Sequence, residues 1–307
     1  MTQPPQNPNP NMYGYNPMFQ PPQIQYPKGY WVKPRDMNEP IEEIPPAQGN
    51  LLQAWFSIGV RNSRRNIARW ANVDKPSWTI ISILTNILLP VIGISFFIAV
   101  SFQPLYQLFI QIVQILNTHN PNGTSQAIPT DAQLHNLLIY EVISMVVSIL
   151  LSNAGIFFTF VLYLAGVADA SLGSFKTRYR RAIRPLAMAY TPIAILQFIM
   201  TILAGIGFVM INNAGALTYI STLISSANPD FSQVGVYILL GALVAIPFSI
   251  LFDAYIIALI VQGGNVGTGV NRWGVFGLGL AAGLTVGIVL QIFSSIVNIF
   301  VQTILLK

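Results

Sequence analysis

The chain contains no cysteine, which excludes a disulfide framework, a thiolate metal site and palmitoylation. It is also short of charge: Asp, Glu, Lys and Arg make up 8% of its 307 residues, against 53% hydrophobic ones. Soluble domains carry about a quarter charged residues. With a mean hydropathy of +0.58, this chain has more apolar surface than a water-soluble fold of its length can hide. Neither 76–175 nor 185–271 contains a single Lys or Arg. The polar, proline-rich start has no apolar core, so no cleavable signal peptide is expected and the first span must direct insertion itself.

Beyond the basic stretches lies a set of apolar runs at about 78–102, 141–166, 185–211, 235–261 and 274–304. At about 1.5 Å of rise per helical residue, each can cross a hydrocarbon core of roughly 30 Å. Fourteen of the fifteen Lys and Arg lie before the first run or in alternate gaps between runs: eight from Lys28 to Lys75, five from Lys176 to Arg184, and Arg272. Basic residues concentrate in cytoplasmic segments, so these stretches fall on one side. The expected fold is an all-α integral membrane bundle of five transmembrane helices. Its amino terminus is cytoplasmic and its carboxyl terminus, with Lys307, is outside. The segments 103–134 and 212–234 then face outside, the first with a short surface helix at 104–116 and the glycosylation-type tripeptide Asn122-Gly123-Thr124, the second with Asp230 as its only charge. A net charge of +5 can attract nucleic acid, but placed beside membrane spans it sets orientation and meets anionic lipid headgroups, and no nucleic-acid partner is expected.

Residues 1–50 are rich in Pro, Gln, Asn and Tyr and bury too little apolar surface to offset ordering entropy, so a disordered cytoplasmic tail is expected. Pro21-Pro22-Gln23-Ile24-Gln25-Tyr26 misses the Pro-Pro-x-Tyr spacing of a docking motif, which favours a solvating spacer. From 51 to 73 the pattern changes. On one helix, Leu52, Trp55, Phe56, Val60, Ile67 and Trp70 share a side, opposite Arg61, Arg64, Arg65 and Arg69. This predicts a helix lying in the headgroup plane, compatible with packing on the ends of the bundle.

Asp253 is an acid inside the fourth run with no basic residue in any run to pair with. One reading is a proton or cation site of a transporter or channel, with Pro90 and Pro247 as breaks in their spans. The other places Asp253 in the cytoplasmic third, hydrogen-bonded to neighbouring helices. Glu141 and Asp169 stand at span mouths, Asp169 near the basic loop. His119, Asp131 and His135 have spacing too loose for a metal motif. The glycine-rich run from Gly263 to Gly269 lacks the lysine and hydroxyl of a phosphate loop and reads as a flexible turn. Gly279, Gly283 and Gly287 recur every fourth residue, a smooth ridge expected to pack inside the bundle or against a second copy. No clustered acids, histidines or serine dyads stand at depth, so neither an enzyme nor a cofactor or metal site is expected.

Ser171-Leu172-Gly173-Ser174-Phe175-Lys176, followed by Ala187-Met188-Ala189-Tyr190-Thr191-Pro192-Ile193, resembles the middle of the Yip family of Ypt/Rab-interacting-protein-like membrane proteins, with Gly173, Phe175, Tyr190 and Pro192 at the motif positions. Trp55 and Asp74-Lys75-Pro76 resemble the start of that domain, and the likeness runs from about Gly49 to the end. The resemblance implies five spans, a cytosolic tail, and, in eukaryotic members, vesicle trafficking through small GTPases and reticulon-like partners. Val73-Asp74-Lys75-Pro76-Ser77-Trp78 stands where those members carry Asp-Leu-Tyr/Trp-Gly-Pro, and Ala189 where they carry Gly. These departures point to a prokaryotic relative and away from small-GTPase binding. The function expected from the sequence is a non-enzymatic membrane scaffold or organising factor whose partners are the bilayer, other membrane proteins or itself.

Overall fold

The computed structural model describes residues 28–32, 41, 43–118, 131–215, 218–219, 222 and 232–305. Asn122, His119, Asp230 and Lys307 lie outside them, as does most of the tail. The described residues form helices joined by turns and contain no strand. They are α1 (Leu51–Val60), α2 (Arg64–Ala71), α3 (Pro76–Thr118), α4 (Asp131–Val167), α5 (Phe175–Asn213), α6 (Ser232–Asn265) and α7 (Arg272–Leu305), with a 3-10 turn at Ala170–Leu172 between α4 and α5. Helices α3 to α7 are each long and apolar enough to span a bilayer. The chain is a multi-pass membrane protein.

Several boundaries differ from the sequence reading. Helix α3 runs unbroken through Pro90 and Pro104 to Thr118, so the expected surface helix at 104–116 is a continuation of the first span. Helix α6 likewise continues across Pro247 without unwinding. The basic stretch from Lys176 to Arg184 is the first turns of α5 rather than a loop, with Pro185 and Pro192 inside the helix. Ser174 starts that helix, its hydroxyl accepting from the Thr177 amide at 3.4 Å.

Helix α5 is the hub of the bundle, touching α1, α2, α3, α4 and α6. Its stretch from Ala182 to Ala194 supplies many small buried side chains, Ala187, Ala189 and Ala194 among them, so neighbours approach closely. At Gly263 of α6 an added Cβ would lie 2.6 Å from the Cβ of Ala189, and at Gly93 of α3 it would lie 3.2 Å from the Phe198 ring. One core joins Ile58, Ile67, Trp70, Met188 and Leu259 at the junction of α1, α2, α5 and α6. A second joins Phe160, Leu164, Leu186, Val275 and Ala282 between α4, α5 and α7. On the outside, Ile80, Leu84, Leu88 and Ile92 of α3 form an exposed stripe at helical spacing, as do Leu280, Leu284 and Ile288 of α7. Exposed apolar stripes of this kind are the lipid-facing surface of a membrane bundle.

The glycine ridge of α7 is not the face that packs inside the bundle, one of the two placements expected for it. The face that packs is Val275, Ala282 and Val286, and a Cβ added at Gly279 would lie 3.7 Å from the Phe160 ring, an ordinary contact. An added Cβ on Gly283 or Gly287 would meet nothing within 4 Å. Glycines that allow close helix contact include Gly93, Gly155, Gly205, Gly263 and Gly264, which carry no regular spacing for a sequence to display.

Candidate membrane-interface site

All described Lys and Arg residues lie at one end of the bundle, where α3, α5 and α7 begin and α4 and α6 end. Helices α1 and α2 sit at this end. Sequence patterning expects one helix over 51–73; the structure breaks it at Arg61-Asn62-Ser63. Helix α1 opens with a capping box in which Asn50 Oδ1 accepts from the Gln53 amide at 2.9 Å and Gln53 Oε1 accepts from the Asn50 amide at 3.0 Å. Ser63 then starts α2, its hydroxyl accepting from the Asn66 amide at 3.3 Å. The Asn66 amide group returns a bond of 2.9 Å to the Ser57 carbonyl, closing the angle between the two helices.

The break redistributes the apolar side chains. Trp55, Ile58, Ile67 and Trp70 turn into the bundle and are buried, so the two tryptophans pack against neighbouring helices while Phe56 stays outside. The Trp55 indole donates to the Ser82 hydroxyl of α3 at 3.0 Å, and Tyr255 of α6 donates through its hydroxyl to the Gly59 carbonyl, also at 3.0 Å. Pro192 packs against the same side of Gly59, where an added Cβ would come within 3.2 Å of its ring and 3.3 Å of the Tyr255 hydroxyl. Outward from this anchored helix stand Leu52, Phe56 and Val60, four residues apart and 69%, 75% and 68% exposed. Arg61, Arg65 and Arg69 are exposed along the adjoining break and α2. Arg64 turns inward and donates to Asn265 at 3.2 Å.

The arginines of α5 serve the fold as much as the surface. Arg178 donates to the Ala168 carbonyl at 2.8 Å, capping the end of α4; Arg181 donates to the Lys28 and Gly29 carbonyls at 3.0 and 3.1 Å; Arg184 donates to the Val73 and Lys75 carbonyls of the link between α2 and α3. Three arginines at three-residue spacing thus tie three separate segments to one helix. Lys176, Arg180 and Arg272 remain exposed on the same end.

Part of the expected spacer tail is built into this end. Trp31 is fully buried against Ala168 and Leu172, and its carbonyl accepts from the Gly267 amide at 3.2 Å. Tyr30 binds Asn72 through both backbone groups, at 2.6 and 2.9 Å, and its hydroxyl donates to the Arg180 carbonyl at 3.3 Å. Burial pushes the Tyr30 phenol above its ordinary value, an effect partly opposed by Arg184 and Arg181. The glycine-rich run is the receiving surface rather than a flexible turn. Gly263 and Gly264 belong to α6, and Gly267 has a φ of +72° with its Cβ position 2.8 Å from the Tyr30 ring, so only glycine fits there. Sequence reasoning missed Tyr30 and Trp31 because two aromatics in a polar tail give no periodic signal. It also passed over Trp273, 82% exposed at the mouth of α7 beside Arg272, where an interfacial aromatic belongs.

No family model, curated protein or solved structure matches this chain. Its site is therefore read from its own residues. Of the motif positions, Gly173 has a φ of +106° and ends the 3-10 turn, which Asp169 caps by accepting from the Ser171 amide at 2.9 Å. Phe175 is exposed at the start of α5, and the Tyr190 ring meets Phe157 edge-on at 5.7 Å. Asp253 departs from expectation. It is exposed on the outer face of α6, twelve residues or about 18 Å before the helix ends at Asn265, and no hydrogen bond to it is found among the described residues. It faces away from the bundle interior, where a carrier keeps its site.

Proposed function

We propose that this chain is a non-enzymatic membrane scaffold that organises or shapes the bilayer, with its basic end and amino terminus cytoplasmic and its carboxyl terminus outside, in a prokaryotic cell membrane. The observation that carries the reading is the anchoring of α1. Its inner face is bonded to α3 and α6 through Trp55–Ser82 and Tyr255–Gly59, while Leu52, Phe56 and Val60 project outward beside the exposed Arg61, Arg65 and Arg69. An amphipathic helix so placed occupies the headgroup boundary of one leaflet. Because it is fixed to α3, α5 and α6, it cannot roll or withdraw, and it displaces lipid on one side only. The Yip-like order of motifs, from Trp55 to Pro192, agrees with a role in membrane organisation; the departures at Val73-Asp74-Lys75-Pro76 and Ala189 argue against small-GTPase binding.

The transporter reading loses its support with Asp253 on the outer face. Purified full-length protein reconstituted at increasing protein-to-lipid ratio tests the choice. A scaffold reduces vesicle diameter or draws out tubules, and Phe56→Asp combined with Val60→Asp abolishes the effect. Vesicles of unchanged shape, together with proton or ion flux that depends on Asp253, would overturn the proposal.

A further inference from the structure

Between α1 and α2 lies an open groove of about 450 Å³. Its wall contains Phe56 and Val60 from the outward stripe, Trp70 of α2, and Arg61, Gln48, Gln53 and Ser57 as polar groups, the Ser57 hydroxyl already bonded to Asn66; no carboxylate lines it. Gln53 Oε1 is already engaged by the Asn50 amide, so what Gln53 offers a ligand is its Nε2 donors. Arg61 closes α1, its amide donating to the Ser57 carbonyl at 2.8 Å while its side chain is exposed. The groove therefore presents hydrogen-bond donors and a guanidinium at one side and an apolar wall at the other. That wall is continuous with Leu52, Phe56 and Val60, the stripe that faces the hydrocarbon.

We propose that this groove is a binding site for a single anionic phospholipid of the leaflet at the basic end, with its phosphate on Arg61 and the start of an acyl chain along Phe56 and Val60. A guanidinium grips phosphate oxygens through paired hydrogen bonds, which a point charge such as Lys does not reproduce. The volume suits a headgroup and glycerol, and the acyl chains run on into the bilayer along the exposed stripe. The excess of donors over acceptors in the wall selects net negative headgroups over zwitterionic ones. The proposal rests on the reading that this end of the bundle meets the headgroups.

Native mass spectrometry of the full-length, detergent-solubilised protein tests it by titration with phosphatidylglycerol, phosphatidylcholine and inorganic phosphate. Wild type is expected to form a saturable adduct with one phosphatidylglycerol and to bind phosphatidylcholine far less. Arg61→Gln should weaken the adduct about tenfold, the loss of one charge-assisted bidentate contact, with Arg61→Lys intermediate. Arg69→Gln, which removes another exposed charge that does not line the groove, should leave it unchanged. Thermal melting of each variant in detergent separates loss of the site from loss of the fold, and Gln53→Ala, which leaves Arg61 in place, serves as the second probe if Arg61→Gln fails to fold. Equal loss in Arg61→Gln and Arg69→Gln, equal binding of phosphatidylcholine, or competition by inorganic phosphate at the same concentration would each overturn the proposal. Wild type without any phosphatidylglycerol adduct would overturn the headgroup reading itself. A wild-type adduct unchanged in both Arg61→Gln and Gln53→Ala would overturn the groove alone.

Discussion

The indole of Trp55 donates to the hydroxyl of Ser82 across 3.0 Å, and both side chains are buried. This bond joins α1 to the first span and sets the angle at which α1 projects its outer stripe. Removing it should cost about 1 kcal/mol, the usual net worth of a buried hydrogen bond within a membrane bundle. Trp55→Phe and Ser82→Ala should each lower stability by that order in a mixed-micelle unfolding assay. The double variant should lose no more than the larger single loss, because the two side chains share one bond. Additive losses would show that the bond contributes nothing.

Gly267 reads as a docking position for the tail. Its φ of +72° and the Tyr30 ring, 2.8 Å from where a Cβ would stand, leave no place for a methyl group. Gly267→Ala should destabilise the docked segment by about 1–2 kcal/mol from backbone strain alone, and more from the displaced ring. Trypsin cleavage after Lys28, held back in the wild type by the bond from Arg181 to the Lys28 carbonyl, should become faster. Gly283→Ala, which meets open space on α7, is the matched control and should leave cleavage unchanged.

The docking of Tyr30 carries a sign in pH. Burial raises its phenol above the ordinary 10.0, so the folded state holds the proton more tightly than the unfolded chain does. The stabilisation from the protonated phenol is fully present below about pH 10 and is lost as pH rises through the raised value. Protection of Lys28 from trypsin should therefore be flat across neutral pH. Hydrogen exchange at the Gly267 amide, measured above pH 10, should speed up more in the wild type than in Tyr30→Phe. Identical alkaline profiles would refute the assignment.

Single cysteines can be placed anywhere in this cysteine-free chain and labelled with an impermeant reagent in intact cells. Positions Arg180 and Arg272 are expected to stay unlabelled until the membrane is permeabilised, while Asn122 and Lys307 label at once. Labelling at Arg272 in intact cells would invert the orientation.

Asp253 faces outward within a span. An ionised carboxylate there costs about 3 kcal/mol on insertion scales, a cost that Leu removes. Asp253→Leu should raise the inserted fraction in a glycosylation-mapping assay and leave scaffold activity intact. A fall in insertion or in partner recovery would show that the acid is paired with a second protein.

The presence of five long apolar helices and the gathering of basic residues between them were legible in the sequence alone. Both depend only on local composition: twenty or so apolar residues cannot leave the hydrocarbon, and arginines cannot enter it without a partner. The shape of the basic end was decided by tertiary structure. Trp55 and Trp70 turned inward while Phe56 stayed outside, because to an apolar side chain lipid and a helix bundle are equivalent solvents, and only the break at Arg61-Asn62-Ser63 chooses between them. The same ambiguity hid the packing glycines: Gly263 and Gly264 lie where Ala189 and Val275 approach, whereas the regular Gly279, Gly283 and Gly287 mostly face open space. Trp31 found its site against Ala168, Leu172 and Gly269, more than a hundred residues away in the chain. No local pattern encodes such a contact, because its stability comes from surfaces that exist only once the five helices have assembled.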